Sequence, residues 1–203
     1  MSGTLMWLAV GLGLLVVVVR RRSLAIGIVT LQALLLAGFA LAEAAGVNDI
    51  AAAAALALRG VALAAVFLWI LVRTREPRPV RAGVAPLARA GLAIGLALAL
   101  TWLVPSFGLS SHVAERAVLA LVAFGAATVA TRRATLFQVL GIVLVENGLA
   151  LAAIELPGGA SLAIELGVAL DLTLLALVSV VFHQRIFAEF GAGDTAALES
   201  LRD

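Results

Sequence analysis

The sequence predicts an all-α integral membrane protein with about seven transmembrane helices, and three observations lead to this prediction. Hydrophobic residues make up 64% of the 203 residues and charged residues only 13%, whereas soluble domains contain about 45–50% and about 25%. The mean hydropathy is +1.17. The apolar residues form runs close to the 20 or so that a helix needs to cross a bilayer, and short gaps rich in Arg separate these runs.

Seven apolar runs are long enough, or nearly so, to be predicted as spanning helices. The first is short, has no basic residue before it and is followed by Arg20-Arg21-Arg22. This order favours a retained helix over a cleaved signal peptide. Pro105 and Pro157 fall in predicted external turns. The predicted spans are Leu5–Val19, Leu24–Ala45, Ile50–Val72, Leu87–Val104, Val113–Ala130, Thr135–Ile154 and Leu162–Phe182.

The basic residues, all of them Arg, predict the orientation of the chain. If the odd-numbered gaps are cytoplasmic, 12 of the 14 Arg lie in them or in the C-terminal tail, whereas the other side has Arg116 with acidic residues. The positive-inside rule then places the N-terminus outside and the C-terminus inside, and no nucleic acid partner is predicted. The cytoplasmic Arg are Arg20, Arg21, Arg22, Arg73, Arg75, Arg78, Arg81, Arg89, Arg132, Arg133, Arg185 and Arg202.

A weak internal repeat divides the predicted transmembrane domain, residues 1–188. Arg21-Arg22 and Arg132-Arg133 each follow one apolar run and precede two more. Residues of about 5–72 and 113–182 therefore resemble two three-helix repeats of the same orientation, joined by the fourth helix, which is a common plan in transporters. Residues 189–203 are predicted as a short cytoplasmic tail that docks on a partner subunit.

Three ionisable residues stand inside predicted spans, where an unpaired charge is costly and a functional role is the first hypothesis. Glu146 lies 11 residues after Thr135 and Asp171 lies 11 residues before Phe182, so both are roughly 16 Å deep at 1.5 Å per residue. Arg59 is the predicted counter-ion, since it aligns within one residue of Asp171 in the repeat. This matched depth suits a proton relay; the open alternative is that these residues hold helices or subunits together.

Other polar residues have a more structural interpretation. Asn147 and Gln32 are predicted to form interhelical hydrogen bonds, and both are candidates to line or extend the polar path. Glu155 and Glu165 lie near the external end and are expected to contact water, with Glu165 as a further candidate for the path.

The sequence contains no signature of soluble enzyme chemistry. It has no Cys, and neither His112 nor His183 has a second His or Cys at the spacing of metal ligands. It also has no phosphate-binding loop or nucleophile elbow. We therefore predict no catalytic residue, metal or cofactor on this chain. Gly141 and Gly148 are expected to permit close helix packing.

Two segments carry a resemblance to a known family. The run Val143–Ala153, with the sequence VLVENGLALAA, and the run Glu165–Asp171, with the sequence ELGVALD and continuing to Arg185-Ile186, are typical of the hydrogenase-4 component E family. Arg20-Arg21-Arg22 followed by Gln32, and the basic Arg59, also suit it. The resemblance is most specific between residues 132 and 202 and weak in the fourth helix.

The resemblance implies a membrane subunit of a group 4 [NiFe]-hydrogenase, a formate hydrogenlyase-like assembly or a related complex, in the inner membrane of a prokaryote. The implied partners are antiporter-like membrane subunits, a complex I H-like membrane subunit, and cytoplasmic redox subunits. Any Ni–Fe centre and Fe–S clusters would belong to these partners.

The C-terminal half also resembles the K subunit of complex I, whose two intramembrane Glu residues serve proton transfer. By position the second Glu falls on Asp171, 12 residues before His183. The first falls on Val143, where no acid stands; Glu146, close to one helical turn later, would replace it. Two alternatives remain open: a purely structural scaffold subunit, or a subunit of a multisubunit cation/proton antiporter.

Overall fold

The structure is a computed structural model that describes residues 3–74, 84–156 and 168–185, apart from residues 170, 174, 177 and 183. These parts of the chain are α-helical, without a β-strand. The helices are α1 Gly3–Val18, α2 Arg22–Ala42, α3 Val47–Thr74, α4 Pro86–Leu103, α5 His112–Thr131, α6 Thr135–Glu155 and α7 Asp171–Phe182. Five of them, α2 to α6, are long and apolar enough to cross a membrane, while α1 and α7 are shorter.

The predicted all-helical fold is thus confirmed for the described residues, with seven helices of which five are long and apolar enough to span a membrane. The predictions for Glu165, the turn at Pro157, much of the α3–α4 loop and the tail 189–203 lie outside them.

One helix start is explained by a capping side chain. The Ser111 hydroxyl accepts a hydrogen bond from the Ala114 amide at 3.1 Å and so caps α5.

Within α1 to α3 and within α4 to α6, consecutive helices pack as hairpins, and the first helix of each predicted repeat packs against the other. The close neighbours include α5 with α6, α2 with α3, α4 with α5, α1 with α5, and α2 with α6. Gly3 at the start of α1 lies beside Val113 at the start of α5, and Arg132 after α5 contacts Val17 near the end of α1. Helices α1 and α5 are therefore parallel, as the repeat requires for its first helices; the repeat itself stays a prediction.

The core consists of two clusters of buried apolar side chains. The first includes Leu36 of α2 and Leu151 of α6, together with residues of α1, α4 and α5. The second includes Val29 of α2 and Leu140 of α6, together with residues of α3 and α7. Along α2 and α6, the two clusters meet near the middle of the bundle, which is where the polar residues of the candidate site lie.

Glycines set the close approach of α5 and α6. A Cβ atom added to Gly141 would lie 2.8 Å from the Gly125 carbonyl oxygen, and one added to Gly125 would lie 2.5 Å from the Gly141 carbonyl oxygen. One added to Gly148 would lie 3.1 Å from the Cβ atom of Leu121. The predicted role of Gly141 and Gly148 in close helix packing is thereby confirmed.

We expect Gly141→Ala to lower the free energy of unfolding by about 1–3 kcal/mol, because the new methyl group would push two helix backbones apart. The matched control is Gly95→Ala in α4, where an added Cβ atom meets nothing within 4 Å. That change should leave stability equal or slightly higher, since Ala favours helix over Gly by up to about 1 kcal/mol. Unfolding of the purified protein in mixed micelles measures both; equal effects of the two substitutions would contradict the packing described.

Candidate functional site

Two amides at the centre of the bundle connect three helices. Asn147 Nδ2 of α6 donates to Gln32 Oε1 of α2 at 2.8 Å, and Gln32 Nε2 donates to the carbonyl oxygen of Ala9 in α1 at 2.8 Å. Both amide side chains are fully buried. The interhelical hydrogen bonds predicted for Gln32 and Asn147 are therefore present, and they lie where the two core clusters meet.

Arg59 of α3 approaches this pair from the other side. Its side chain is 5% exposed, and Arg59 and Asn147 both line a cavity of about 10 Å³ between α2, α3 and α6, which is close to the space of one water molecule. The Asn147 Oδ1 atom has no hydrogen-bond partner among the described residues. A single water there would give this oxygen a donor and would link the amide pair to the guanidinium side of the site.

The two predicted acids lie on the outer side of the same region. Glu146 of α6 is half-buried and Asp171 of α7 is exposed. Arg59 and Asp171 are both close enough to Glu146 for their charges to act on its carboxyl group. The structure brings Gln32, Asn147 and Arg59 together. Glu146 and Asp171 lie toward the surface, and Glu165 lies outside the described residues.

A larger groove of about 430 Å³ lies between α3 and α7. Its lining is mostly apolar, with Trp69 and Arg59 on α3, Thr173 on α7 and Ala169 shortly before α7. At about 100° per residue, Asp171 projects from the opposite flank of α7. Arg59 therefore borders the groove as well as the small cavity, while the carboxyl group of Asp171 faces the surface of the bundle.

The prediction that Glu155 contacts water is wrong. Its position near the external end predicts contact with water, yet it is 7% exposed. The loop between α4 and α5 folds over the end of α6, so that the Ser110 hydroxyl donates to the Glu155 carboxylate and the Ser110 amide donates to the Glu155 carbonyl oxygen at 3.3 Å.

The same loop reveals a structural acid that the sequence pattern does not single out. Glu115 Oε1 accepts from the Ser106 hydroxyl at 2.6 Å and from the amides of Phe107 and Gly108 at 3.1 Å. The signal that could have found it is an acid in the first turn of a helix that follows a Ser cap, Ser111.

Two Arg residues that serve as orientation signals in the predicted loops are in fact buried. Arg132, 2% exposed, donates from Nη2 to the carbonyl oxygens of Val17, at 3.0 Å, and Val19 at the end of α1. Its Cζ atom lies 4.0 Å from the centre of the Phe137 ring. Arg89, fully buried, lies in the first turn of α4. Their burial follows from the packing of α1, α4 and α5, which the sequence does not display.

Comparison with known proteins adds one relative. The chain is 33% identical over 162 residues to "Uncharacterized protein Rv0085" of Mycobacterium tuberculosis, a match that covers 74% of this chain and 70% of the relative. The chain belongs to the family of that protein. No protein-family profile matches the chain, and no solved structure matches it. The relative's name states no activity, so the function of the site has to be inferred from its geometry.

We expect a double-mutant cycle on Gln32 and Asn147 to give a coupling energy of about 0.6–2 kcal/mol, the range for hydrogen bonds between membrane helices. Gln32→Ala and Asn147→Ala each remove the side-chain bond that joins α2 to α6. Thr128→Ala is the control partner for Gln32, because the Thr128 hydroxyl bonds the Phe124 carbonyl of its own helix. Unfolding in mixed micelles measures the coupling; a value near zero for Gln32 with Asn147, equal to that of the control pair, would show that the bond does not hold these helices.

Proposed function

We propose that this chain is an accessory membrane subunit of a complex I-like, energy-converting hydrogenase or a related oxidoreductase complex. It would link the redox module to antiporter-like subunits and contribute to an intramembrane proton pathway. The orientation proposed for it has the N-terminus outside and the C-terminus inside, in the inner membrane of a prokaryote. The resemblance of residues 143–153 and 165–186 to the hydrogenase-4 component E family supports this assignment.

The observation that carries the proposal is the pair of acids on the outer side of the bundle. Glu146 lies 11 residues after the start of α6, and Asp171, the first residue of α7, lies 11 residues before the end of that helix. Both are therefore roughly 16 Å from the end of the bundle where α6 starts and α7 ends, at 1.5 Å per residue. Asp171 is nevertheless exposed in the isolated chain. Because a carboxylate that faces lipid at mid-membrane depth is costly, this surface favours a protein partner or a hydrated cavity.

The arrangement of the polar residues suits proton transfer better than binding of a substrate. The carboxyl groups of Glu146 and Asp171 can take up and release a proton, whereas Arg59 supplies a permanent positive charge within electrostatic reach. The amides of Gln32 and Asn147 cannot relay a proton by ionising, but they can orient a water in the small cavity beside Arg59.

The redox chemistry would belong to other subunits. Fe–S clusters are bound by Cys thiolates, and the chain has no Cys. In the described residues, no group of three or more His, Asp or Glu could hold a metal ion. The residues of this chain therefore do not fit a Ni–Fe centre or a cluster, and no step of the proposed function passes through one here.

Two alternatives have observations in their favour. The Asn147–Gln32–Ala9 bonds suit a scaffold that only holds helices and subunits together. A subunit of a multisubunit cation/proton antiporter would present the same acids, and the identity of the co-purifying subunits would distinguish it from a hydrogenase-type subunit.

We expect Glu146→Gln and Asp171→Asn to reduce redox-driven proton translocation by the assembled complex at least tenfold, with assembly unchanged, because each removes one ionisable group and keeps the shape of the side chain. Glu43→Gln is the matched control, since Glu43 is an exposed acid just after the end of α2. Proton uptake by proteoliposomes that contain the complex, with subunit content checked by native electrophoresis, measures both properties. Normal pumping with normal assembly would overturn the proton pathway, and lost assembly would support the scaffold instead.

A further inference from the structure

One end of the bundle concentrates positive charge; we call it the basic end and define it by Arg20, Arg89 and Arg132. Arg20 is exposed just after α1, while Arg89 is fully buried in α4 and Arg132 is 2% exposed after α5. The Nε, Nη1 and Nη2 atoms of Arg89, and the Nε and Nη1 atoms of Arg132, have no hydrogen-bond partner in the part of the chain that the structure describes. Buried guanidinium groups normally find acceptors, because a buried charge without them is costly.

The charged groups nearby raise the free-energy cost of burying these guanidinium groups instead of offsetting it. Burial, together with the positive charges of Arg89 and Arg20, lowers the pKa of Arg132 to about 9. Arg132 therefore still carries its charge at neutral pH, and three positive charges meet at the basic end. The hydrogen bonds of Arg132 to Val17 and Val19, and the packing of α4 against α1 and α5, bring these helix ends together.

Helix termini add to this positive potential. Helices α2, α4 and α6 begin without a hydrogen bond from a capping side chain, and none of them has an acidic residue in its first turn. Each of these N-termini therefore presents the positive end of a helix dipole without a compensating acid in its first turn. Helix α5 differs, since Ser111 caps it and Glu115 lies in its first turn.

We propose that the basic end binds a phosphate group, carried by an anionic phospholipid or present as free phosphate, with Arg89 and Arg132 as its main ligands. The planar fork of a guanidinium matches two phosphate oxygens. Arg89 follows the start of α4 by three residues and Arg132 directly follows α5. The cluster therefore lies at the ends of spanning helices, the depth at which basic pockets between helices bind lipid head groups. This inference does not depend on the proposed function.

The test compares three additives on the purified full chain in detergent at constant ionic strength: phosphatidylglycerol, phosphatidylcholine and inorganic phosphate. Phosphatidylglycerol should raise Tm by roughly 5–10 °C near saturation and remain bound in native mass spectrometry, whereas phosphatidylcholine should do neither. An equal increase with inorganic phosphate, and no further gain from the lipid, would support the site and identify free phosphate as its source. No increase with either phosphate source would overturn the proposal.

Substitutions locate the site. Arg89→Gln should weaken phosphatidylglycerol binding at least tenfold, and Arg116→Gln, an exposed Arg in α5 near the opposite end of the bundle, should leave it unchanged. If Arg89→Gln does not fold, Arg20→Gln at the exposed edge of the cluster replaces it and should weaken binding severalfold. Full binding by the folded Arg89→Gln protein, or equal losses with Arg116→Gln, would overturn the proposal.

A carboxylate of the chain itself is the competing occupant. Glu76 precedes α4 in the sequence, and an internal acid in the cluster would exclude phosphate. In that case neither phosphate source would raise the Tm of the wild-type chain, whereas both would raise the Tm of the Glu76→Gln protein. This result would also overturn the proposal.

Discussion

The hydrogen bonds from Asn147 to Gln32 and from Gln32 to the Ala9 carbonyl group are the interaction on which the centre of the molecule depends. They join α6, α2 and α1 at the level where the two apolar clusters meet. In lipid, polar groups have no water to replace a lost partner, so this connection also fixes which faces of the helices turn inward. Arg59 of α3 and Asn147 of α6 both line the small cavity beside these amides.

The distribution of charge gives the two ends of the bundle different chemistry. At one end, the carboxylates of Glu115 and Glu155 are satisfied by hydroxyl and amide donors from the α4–α5 loop. At the basic end, the guanidinium groups of Arg89 and Arg132 retain nitrogens without acceptors among the described residues. This asymmetry distinguishes an end whose carboxylates are satisfied within the chain from an end that is suited to bind an anion.

The sequence was sufficient to predict the helices, because a long apolar run can adopt few structures other than a helix in a membrane. It also predicted the depth of Glu146, and with it of the adjacent Asn147, since depth follows from counting residues along a helix. It could not predict that Arg132 and Arg89 would be buried, because loop residues carry no sign of which helix end packs against them. Nor could it predict that Asp171 faces outward, since a helix that is apolar on all sides has no periodicity to show its buried face.

The central claim is that the outward surface of α7 around Asp171 is covered by another protein when the chain is in its membrane. The most direct measurement is site-specific photo-crosslinking in native membranes from position 171, compared with position 98 of α4, where Leu98 is 59% exposed in a mostly unburied span. The account predicts that position 171 forms adducts with a partner membrane polypeptide, whereas position 98 forms adducts mainly with lipid. Lipid adducts alone at both positions would contradict it.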